Sequence, residues 1–438
     1  MTFRAGSATH DITPDSPVPM SGYGARDGFS TGVHDPLSAK ALVLSDGATT
    51  VGIVAADLLN VSRELSIRVR RRLSAAGIHL DELVLTATHT HAGPYVPAPV
   101  IDRDPLLAVE ADVSETVREI ENGVVGSVTD AHGVLESATM SVGRAVNTNV
   151  PINRRAAGGV GGNVRMPHGP VDPTVTALVV TTESGTETVL FNFACHPVCT
   201  TPGETLLSAD WPGYACAHVA AETGAERVLF VNGAAGDINP RDSSEPREGE
   251  EVYSYMEDVG TSVGETVVRA RARAKESDAI VTPRLLADRR ELRLPLKSVP
   301  PREEIVARLA DLGSEIERLE ADGNDDAIAS RRWNQRYVQS LRGIADWDAK
   351  RLPASMGYVE IGPVGILGMP GEILLEHGRR FASRATAETL VLAGYADGYV
   401  GYVPTLAELE NIGYEVRMAK IAPEAILEFR DAGFDLVS

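Results

Sequence analysis

Leu83–Pro94 reads LVLTATHTHAGP, and this stretch fixes more of the fold than any other part of the chain. It begins with a short apolar run of strand length, and Gly93-Pro94 must end that strand. His89 and His91 therefore lie at a strand's end, two positions apart. Because side chains at positions i and i+2 of an extended segment point to the same side, we expect both imidazoles to face one site.

Neutral imidazole is a common zinc ligand, so the histidine pair predicts a metal site; the alternative is two loop histidines held by hydrogen bonds. Two well-known zinc architectures use such a pair, and neither fits. The metallo-β-lactamase pattern continues with Asp-His, whereas this chain continues Ala92-Gly93-Pro94-Tyr95. The amidohydrolase barrel has the pair on its first strand, whereas several hairpin-connected strands come first here.

The segments around the histidine pair alternate between strand-like and helix-like patterns. Ala39–Leu44 and Thr50–Ala55 are rich in β-formers and flank Asp46-Gly47, which indicates a hairpin. Glu64–Leu73 has the apolar spacing of a helix. Further strands are expected at Thr174–Thr181, Thr186–Phe193, Arg227–Val231, Tyr358–Ile361 and Gly365–Met369, and further helices at Ser114–Asn122, Gly213–Thr223, Glu251–Arg273 and Ile373–Ala385. The pattern predicts an α/β fold with mixed sheets flanked by helices.

The segment from Ser298 to Lys350 differs from the rest. Pro300-Pro301 and the acidic pair after it are typical of a helix start, and two runs of helically spaced apolar residues flank a turn at Gly323-Asn324. We interpret 298–350 as an antiparallel helical pair that leaves the α/β body and either covers the site or forms an interface.

Composition limits the class of protein. The chain has 438 residues, 43% of them hydrophobic, and a formal net charge of −20. An acidic surface repels phosphate, so nucleic acid and membrane surfaces are excluded as expected partners, and a small-molecule substrate is favoured. No apolar run is long enough to span a bilayer. Met1–Pro14 shows no secretory pattern and the three cysteines are an odd number, so a cytoplasmic protein is expected.

Two other motifs each allow a structural interpretation as well as a functional one. Ala156–Asn163 is glycine-rich but lacks the Lys-Ser/Thr of a phosphate loop, so a surface loop is expected. Cys195 and Cys199 flank His196, which suggests a thiolate-ligated metal, but buried thiols are common core residues.

Thr88–Pro94, with the sequence THTHAGP, resembles the THTHSGP signature of the neutral, non-lysosomal ceramidases. Further short similarities follow in the family's order over nearly the whole chain. They are Asp11-Ile12-Thr13-Pro14, Met20-Ser21-Gly22-Tyr23, Asn153-Arg154, Ala194-Cys195-His196, Gly236-Asp237-Ile238-Asn239-Pro240, Pro370-Gly371-Glu372, Tyr399-Val400-Gly401-Tyr402 and Tyr414.

The resemblance implies a catalytic zinc ion and a set of substrate-facing groups around it. Its implied ligands are His89, His196, Glu372 and Tyr402. Its implied catalytic residues are His91, Arg154 and Tyr414, which would face the substrate carbonyl. Two imidazoles, a carboxylate and a phenol oxygen leave room for water at an open position of the ion. His91 is the candidate acid for the leaving nitrogen, and either His91 or Arg154 could be the main stabiliser of the oxyanion.

The chain departs from the family's pattern at two points. The family's GDVSP loop carries a serine thought to contact substrate, and Asn239 stands in its place, with Asp237 as the second candidate substrate-binding residue. The larger ceramidases also continue into a β-sandwich domain, which we do not expect here, because the sequence runs only to Ser438, soon after Tyr414. We therefore expect a small soluble amide as substrate: an N-acyl amine, an amino-acid conjugate or a lactam.

Several functions remain open. The same zinc and hydroxide would serve an esterase or lactonase, and the fold could also support ceramidase activity proper or a non-catalytic binding protein. Because the implied ligands are spread from 89 to 402, the whole span 1–438 is interpreted as one catalytic domain. The sequence leaves the oligomeric state open.

Overall fold

The structure, a computed structural model, describes residues 2–26, 28–98, 112–155, 169–322, 325–410 and 413–438. Its strands are β1 (Arg4–Asp11), β2 (Gly32–Val33), β3 (Ser38–Ser45), β4 (Thr50–Ala56), β5 (Glu82–Ala87), β6 (Glu136–Val146), β7 (Pro151–Asn153), β8 (Thr174–Thr182), β9 (Glu187–Phe193), β10 (Leu206–Leu207), β11 (Arg227–Asn232), β12 (Ile238–Pro240), β13 (Leu285–Pro295), β14 (Arg351–Ile361), β15 (Val364–Gly368), β16 (Glu372–Ile373), β17 (Thr389–Ala393) and β18 (Tyr402–Val403). Its α-helices are α1 (Arg63–Ala75), α2 (Ser114–Gly133), α3 (Trp211–Thr223), α4 (Glu250–Glu276), α5 (Arg302–Asp322), α6 (Asp325–Ala345), α7 (Leu375–Ala382), α8 (Tyr414–Met418) and α9 (Pro423–Val437).

Two sheets form the centre of the molecule, and both are mixed. The larger has eight strands in the order β11-β9-β8-β6-β1-β3-β4-β5, and the smaller has four in the order β13-β14-β15-β17. Most neighbours are antiparallel, but β4–β5, β9–β11 and β15–β17 are parallel pairs. The predicted class, mixed sheets flanked by helices, is confirmed.

The layers are held together by apolar side chains on both faces of each sheet. Leu42 and Ile53 of the large sheet share a core with Val359 and Ile366 of the small one. Helices α1 to α4 cover the other face of the large sheet, and α7 and α9 cover the outer face of the small sheet. Full burial of such a side chain contributes ~1.5–3 kcal/mol, so this stacking provides much of the stability.

The parallel pairs decide where a site can form. Each is joined by a crossover that contains a helix, α1, α3 or α7, so the carboxyl ends of its two strands meet at one sheet edge. In open α/β sheets, ligands bind at such edges. The loops that leave β5, β9 and β15 carry His89, His196 and Glu372, respectively.

The helical pair predicted at 298–350 is confirmed as α5 and α6, although its turn at Gly323-Asn324 lies outside the described residues. It packs beside α8. The guanidinium of Arg417 lies 4.9 Å from the ring centre of Trp333, and the Lys420 ammonium donates to the carbonyl of Ser340 at 2.8 Å. The glycine-rich segment Ala156–Asn163, predicted to be a surface loop, also lies outside the described residues.

Some element predictions were wrong or incomplete. The helix expected at Ile373–Ala385 begins only at Leu375 and ends at Ala382, because Glu372–Ile373 is a short strand. The strand Leu285–Pro295 was missed, because its charged side chains hide the β pattern and are accommodated by partners from elsewhere in the fold. Among the described residues, every helix is too short or too polar to cross a bilayer.

Candidate metal centre

The two histidines of the HxH pair face one point, as predicted, but not through an extended backbone. His89 has a left-handed backbone conformation, with φ of 73°, directly after β5 ends. The ring centres of His89 and His91 are 5.0 Å apart and their planes are nearly perpendicular. Their Nε2 atoms lie 3.4 Å apart. The turn of the chain at His89, rather than strand alternation, brings the two nitrogens together.

Hydrogen bonds fix which nitrogen of each buried histidine faces that point. The Nδ1 atom of His89 donates to the carbonyl of Leu59 at 2.7 Å, and Nδ1 of His196 donates to the carbonyl of Ala235 at 2.6 Å. Because a carbonyl can only accept, the proton of each neutral ring is on Nδ1 and the lone pair is on Nε2. Metal-bound histidines in proteins commonly have this arrangement.

Glu372 brings a carboxylate to the same point. Its Oε2 atom lies 3.1 Å from Nε2 of His196 and 3.7 Å from Nε2 of His89, and its Oε1 accepts from the Tyr399 hydroxyl at 2.5 Å. Gly371 makes the approach possible, since its φ is 147° and a Cβ there would meet the carbonyl oxygen of Gly401 at 2.5 Å. Glu372 therefore lies on β16, paired with Tyr402 of β18, and not at a helix N-terminus.

The donor set fits a divalent zinc ion. Nitrogen atoms of His89, His91 and His196 all lie within 4.8 Å of one another. Burial lowers the pKa of His89 to about 3 and that of His91 well below its usual value, so both rings are neutral. Burial by itself raises the pKa of the Glu372 carboxyl. The hydrogen bond with His196 and the nearby His89 outweigh this effect and lower the pKa to about 2. Imidazole lone pairs that lie 3.1–3.7 Å from a carboxylate oxygen form a donor set of the kind that zinc binds.

A buried guanidinium lies next to this donor set. Arg154 donates through Nε to Glu415 at 2.7 Å and through a terminal nitrogen to the Tyr402 hydroxyl at 3.0 Å. Its guanidinium carbon lies 5.4 Å from the ring centre of Tyr402 and 5.6 Å from that of Tyr414. The neighbouring Arg155 pairs with the other oxygen of Glu415 and with Glu408, whereas Arg154 reaches the Tyr402 hydroxyl, so the two arginines are not interchangeable.

The remaining predicted residues lie around Arg154. The Asn239 amide oxygen lies 3.5 Å from a terminal nitrogen of Arg154, and the Tyr414 side chain is 38% exposed, at the outer side of the cluster. Asp237 is buried: its carboxylate accepts from the backbone nitrogen of Leu375 and the Asn153 amide, and its carbonyl accepts from the backbone nitrogen of Arg154. These contacts show Asp237 holding Arg154 and the β16 loop in place; its part in substrate binding stays a prediction.

The structure adds four residues that the sequence analysis did not single out. Tyr399 holds Glu372, and Glu415 holds Arg154. Tyr395 stacks on His89, and Asn232 bonds both to the carbonyl of Thr88 and to the backbone nitrogen of Cys195. Tyr399 begins one of the quoted family motifs, Glu415 follows Tyr414, and Asn232 is a polar residue at a strand's end, so each left a weak signal. Tyr395 left none.

The comparisons with known proteins identify the family of this chain. The family model for "Neutral/alkaline non-lysosomal ceramidase, N-terminal" matches residues 3–278, well over half of the chain. The chain belongs to this family. The chain is 28% identical over 264 residues to the neutral ceramidase of Mycobacterium tuberculosis. This alignment covers 54% of this chain and 40% of that protein. It is 26% identical over 157 residues to neutral ceramidase 2 of Arabidopsis thaliana, covering 35% of this chain and 20% of that protein.

The fold of the family extends over the whole chain. The crystal structure of neutral ceramidase from Pseudomonas aeruginosa superimposes with a TM-score of 0.78 at 20% identity, covering 100% of this chain and 74% of that one. A structure of a ceramidase complexed with C2 gives the same TM-score at 19% identity and covers 75% of that chain. The chain thus spans less than half the length of the curated relatives it matches. The fold similarity to the Pseudomonas aeruginosa structure covers all of this chain and about three quarters of that one.

Proposed function

We propose that this chain is a zinc-dependent hydrolase that cleaves a carboxamide bond. One observation carries the proposal: two Nε2 lone pairs and the Glu372 carboxylate converge in a buried space, next to the fixed charge of Arg154. Membership of the neutral/alkaline ceramidase family supports an amide as the bond cleaved, because the matched relatives are named as ceramidases.

The residues that would hold the ion are His89, His196, Glu372 and Tyr402. The Nε2 atoms of His196 and His89 lie 3.1 and 3.7 Å from Oε2 of Glu372, and Tyr402 is the cross-strand partner of Glu372. Zinc bound there supplies a Lewis acid and lowers the pKa of water from about 15.7 to about 7. His91 is an alternative ligand that would add a third imidazole, since its Nε2 lies 3.4 Å from that of His89.

The chain's own groups would handle the charge and the proton. Arg154 remains cationic because Tyr402 and Glu415 raise its pKa well above normal, against the effect of burial. It and the Tyr414 hydroxyl would face the substrate oxygen that becomes negative. His91 is neutral and its Nδ1 has no partner among the described residues. It would accept a proton from the attacking water and pass it to the leaving nitrogen.

The substrate class we propose is a small soluble amide: an N-acyl amine, an amino-acid conjugate or a lactam. Asn239 supports a substrate other than ceramide, because its amide group lies beside Arg154 at the position where the family loop has a serine. A net charge of −20 supports a small-molecule partner rather than nucleic acid or membrane. The three cysteines are unpaired and buried, which supports a cytoplasmic location. We also propose that residues 1–438 act as one catalytic domain.

The test combines metal analysis with hydrolysis assays. Purified protein should contain zinc, and it should hydrolyse short-chain N-acyl compounds faster than long-chain ones and faster than matched esters. Chelation should abolish the activity, and added zinc should restore it. Faster ester cleavage would indicate an esterase or lactonase, and a preference for long-chain ceramide would indicate a ceramidase. If the protein binds zinc but hydrolyses none of these compounds, it is a non-catalytic binding protein.

Replacing Glu372 by alanine tests the site itself. The loss of this buried carboxylate should weaken zinc binding by more than the roughly 10–100-fold typical of outer-shell changes, and activity should fall with the zinc content. Glu376→Ala is the matched control, because Glu376 is a half-exposed carboxylate of α7 that pairs with Arg380 across one helical turn. Zinc and activity that survive Glu372→Ala would contradict the assignment.

A further inference from the structure

Tyr395 packs directly against a proposed ligand. Its ring is parallel to the imidazole of His89, with a centroid distance of 3.9 Å and an interplanar angle of 15°. The ring of His196 lies 6.4 Å away and nearly perpendicular. Because Tyr395 is fully buried, it cannot leave this position without opening the core. The stack therefore limits rotation of the His89 ring and keeps Nε2 directed at the centre.

The hydroxyl of Tyr395 is the exception in this well-bonded region. It is buried and has no hydrogen-bond partner among the described residues, whereas the neighbouring Tyr399 and Tyr402 hydroxyls are both paired. Most buried polar groups in proteins are satisfied, and an exception calls for a partner such as a bound molecule or water.

The backbone holds Tyr395 in a conformation that tyrosine rarely adopts. Its φ is 56°, in the left-handed region. Its amide donates to the carbonyl of Gly371 at 3.1 Å, and its carbonyl accepts from the amide of Ala87 at 3.3 Å. Gly371 lies immediately before Glu372, and Ala87 is the last residue of β5, the strand that precedes the histidine pair. The conformation thus ties Tyr395 to both ligand-bearing loops, as strained residues at functional sites often are tied.

Asp397 fixes the same segment from the other side. It too is left-handed, with φ of 56°, and its carboxylate accepts from Ser66 at 2.6 Å, from Arg70 at 3.0 Å and from Arg289 at 3.1 Å. Both arginines also pair with Glu82 of β5. This buried network joins the edge of the large sheet to the small sheet directly behind Tyr395.

We propose that Tyr395 is a positioning residue of the metal centre: its ring orients His89, and its hydroxyl hydrogen-bonds a molecule that occupies the centre only when metal is bound. The inference rests on the proposed zinc site. In the zinc-bound protein, water or substrate would supply the hydrogen-bond partner that the Tyr395 hydroxyl lacks among the described residues. In the metal-free protein the hydroxyl contributes nothing favourable.

The test is the variant Tyr395→Phe, which keeps the stacked ring and removes only the hydroxyl. The zinc dissociation constant, measured by competition with a chromogenic chelator, should rise about 10-fold, as for other outer-shell changes. The thermal midpoint of the metal-free variant should equal or exceed that of the wild type, because a buried unpaired group is lost. Tyr395→Leu, which also removes the stack, should weaken zinc binding further.

Tyr358→Phe is the matched control. The Tyr358 hydroxyl lies in the small sheet and donates to Glu360 at 3.1 Å, so its loss should leave zinc affinity unchanged. A zinc affinity of Tyr395→Phe within twofold of the wild type would overturn the inference, as would equal destabilisation with and without zinc. A wild-type protein that binds no zinc would overturn the proposed function, and this inference with it; the first two outcomes overturn this inference alone.

Discussion

Single residues at this site act in pairs, one making the contact and one setting its direction. Leu59 and Ala235 accept from Nδ1 of the two buried imidazoles, and this leaves both Nε2 lone pairs for the centre. Tyr399 occupies one oxygen of Glu372, so the other remains for the histidines. The carboxylate and imidazoles therefore need little reorganisation to bind an ion, since their partners already hold them in place.

Tyr414 is the residue whose role separates chemistry from metal binding. It is more exposed than the other proposed site residues, and its ring lies 5.6 Å from that of Tyr402. Tyr414→Phe should retain zinc but lower kcat by about 10²–10³-fold, the usual cost of losing an oxyanion donor. Zinc content and single-turnover rates measured on the same preparation check this. Unchanged kcat would remove Tyr414 from the mechanism.

Among the secondary-structure elements, the ends of β5, β9 and β11 are joined by one side chain. Asn232, the last residue of β11, donates to the carbonyl of Thr88 at 3.1 Å and accepts from the backbone nitrogen of Cys195 at 3.4 Å. Thr88 and Cys195 directly precede His89 and His196. The two edges of the eight-stranded sheet thus meet through an asparagine placed behind both histidines.

Asn232→Ala should therefore weaken both the fold and the metal site. It leaves the Thr88 carbonyl and the Cys195 amide without their partner, at about 1–3 kcal/mol each, so the free energy of unfolding should fall by ~2–6 kcal/mol. Urea unfolding measures this loss, and chelator competition should show weaker zinc binding. Asn122→Ala, at an exposed position on α2, is the control and should change stability by less than ~0.5 kcal/mol. Equal effects of the two changes would refute the linking role.

Helix α7 carries a pH-sensitive contact. Burial lowers the pKa of His377 from 6.5 to about 4, and its Nε2 donates to the carbonyl of Pro404 at 3.0 Å. The unfolded chain therefore binds a proton that the folded chain does not. The contribution to stability is complete above pH 6.5 and is lost as the pH falls towards 4.

Acid titration of stability tests this sign. In wild-type protein, His377 should account for a loss of up to about 3 kcal/mol between pH 6.5 and 4, the value of the shift at ~1.4 kcal/mol per pKa unit. Urea unfolding at successive pH values should show a shallower slope in His377→Gln than in the wild type. His79→Gln, at an exposed position after α1, is the control and should keep the wild-type slope. Identical slopes in all three proteins would contradict the assignment.

In the molecule as a whole, the proposed ligands link segments that are far apart in sequence. His89 follows the large sheet at one edge, His196 follows it near the other, and Glu372 follows the small sheet. An ion bound to all three would tie the two sheets together. Any ligand that binds only the folded state raises its stability by mass action.

Zinc should accordingly stabilise the entire fold and not only the site. At a free zinc concentration 1,000 times the dissociation constant, the gain is about 4 kcal/mol. Calorimetry of chelated and reloaded protein should show a single transition that moves to higher temperature with zinc, and magnesium should not replace it, because it prefers oxygen ligands. A midpoint independent of zinc would contradict a site shared by both sheets.

Much of the fold could be predicted because its signals are local. The hairpin of β3 and β4 follows from β-rich runs around Asp46-Gly47, and α1, α5 and α6 follow from apolar residues at helical spacing. Strand β13 could not be predicted, because its charged residues read as surface; Arg289, for example, is matched by Glu82 from the other sheet. The short strand at Glu372 likewise depends on its partner Tyr402 and has no local pattern.

The sequence by itself determined the fold class and the family resemblance, since these depend on residue type and spacing, and the resemblance in turn implied the nine candidate site residues. Only the tertiary structure decided how the site is assembled: the left-handed turn at His89, the orientation of each imidazole and the contacts of Tyr395 and Asn232. The physical reason is distance along the chain. A hydrogen bond or a stacked ring joins atoms whose residues lie hundreds of positions apart, and no local pattern records which of them will meet.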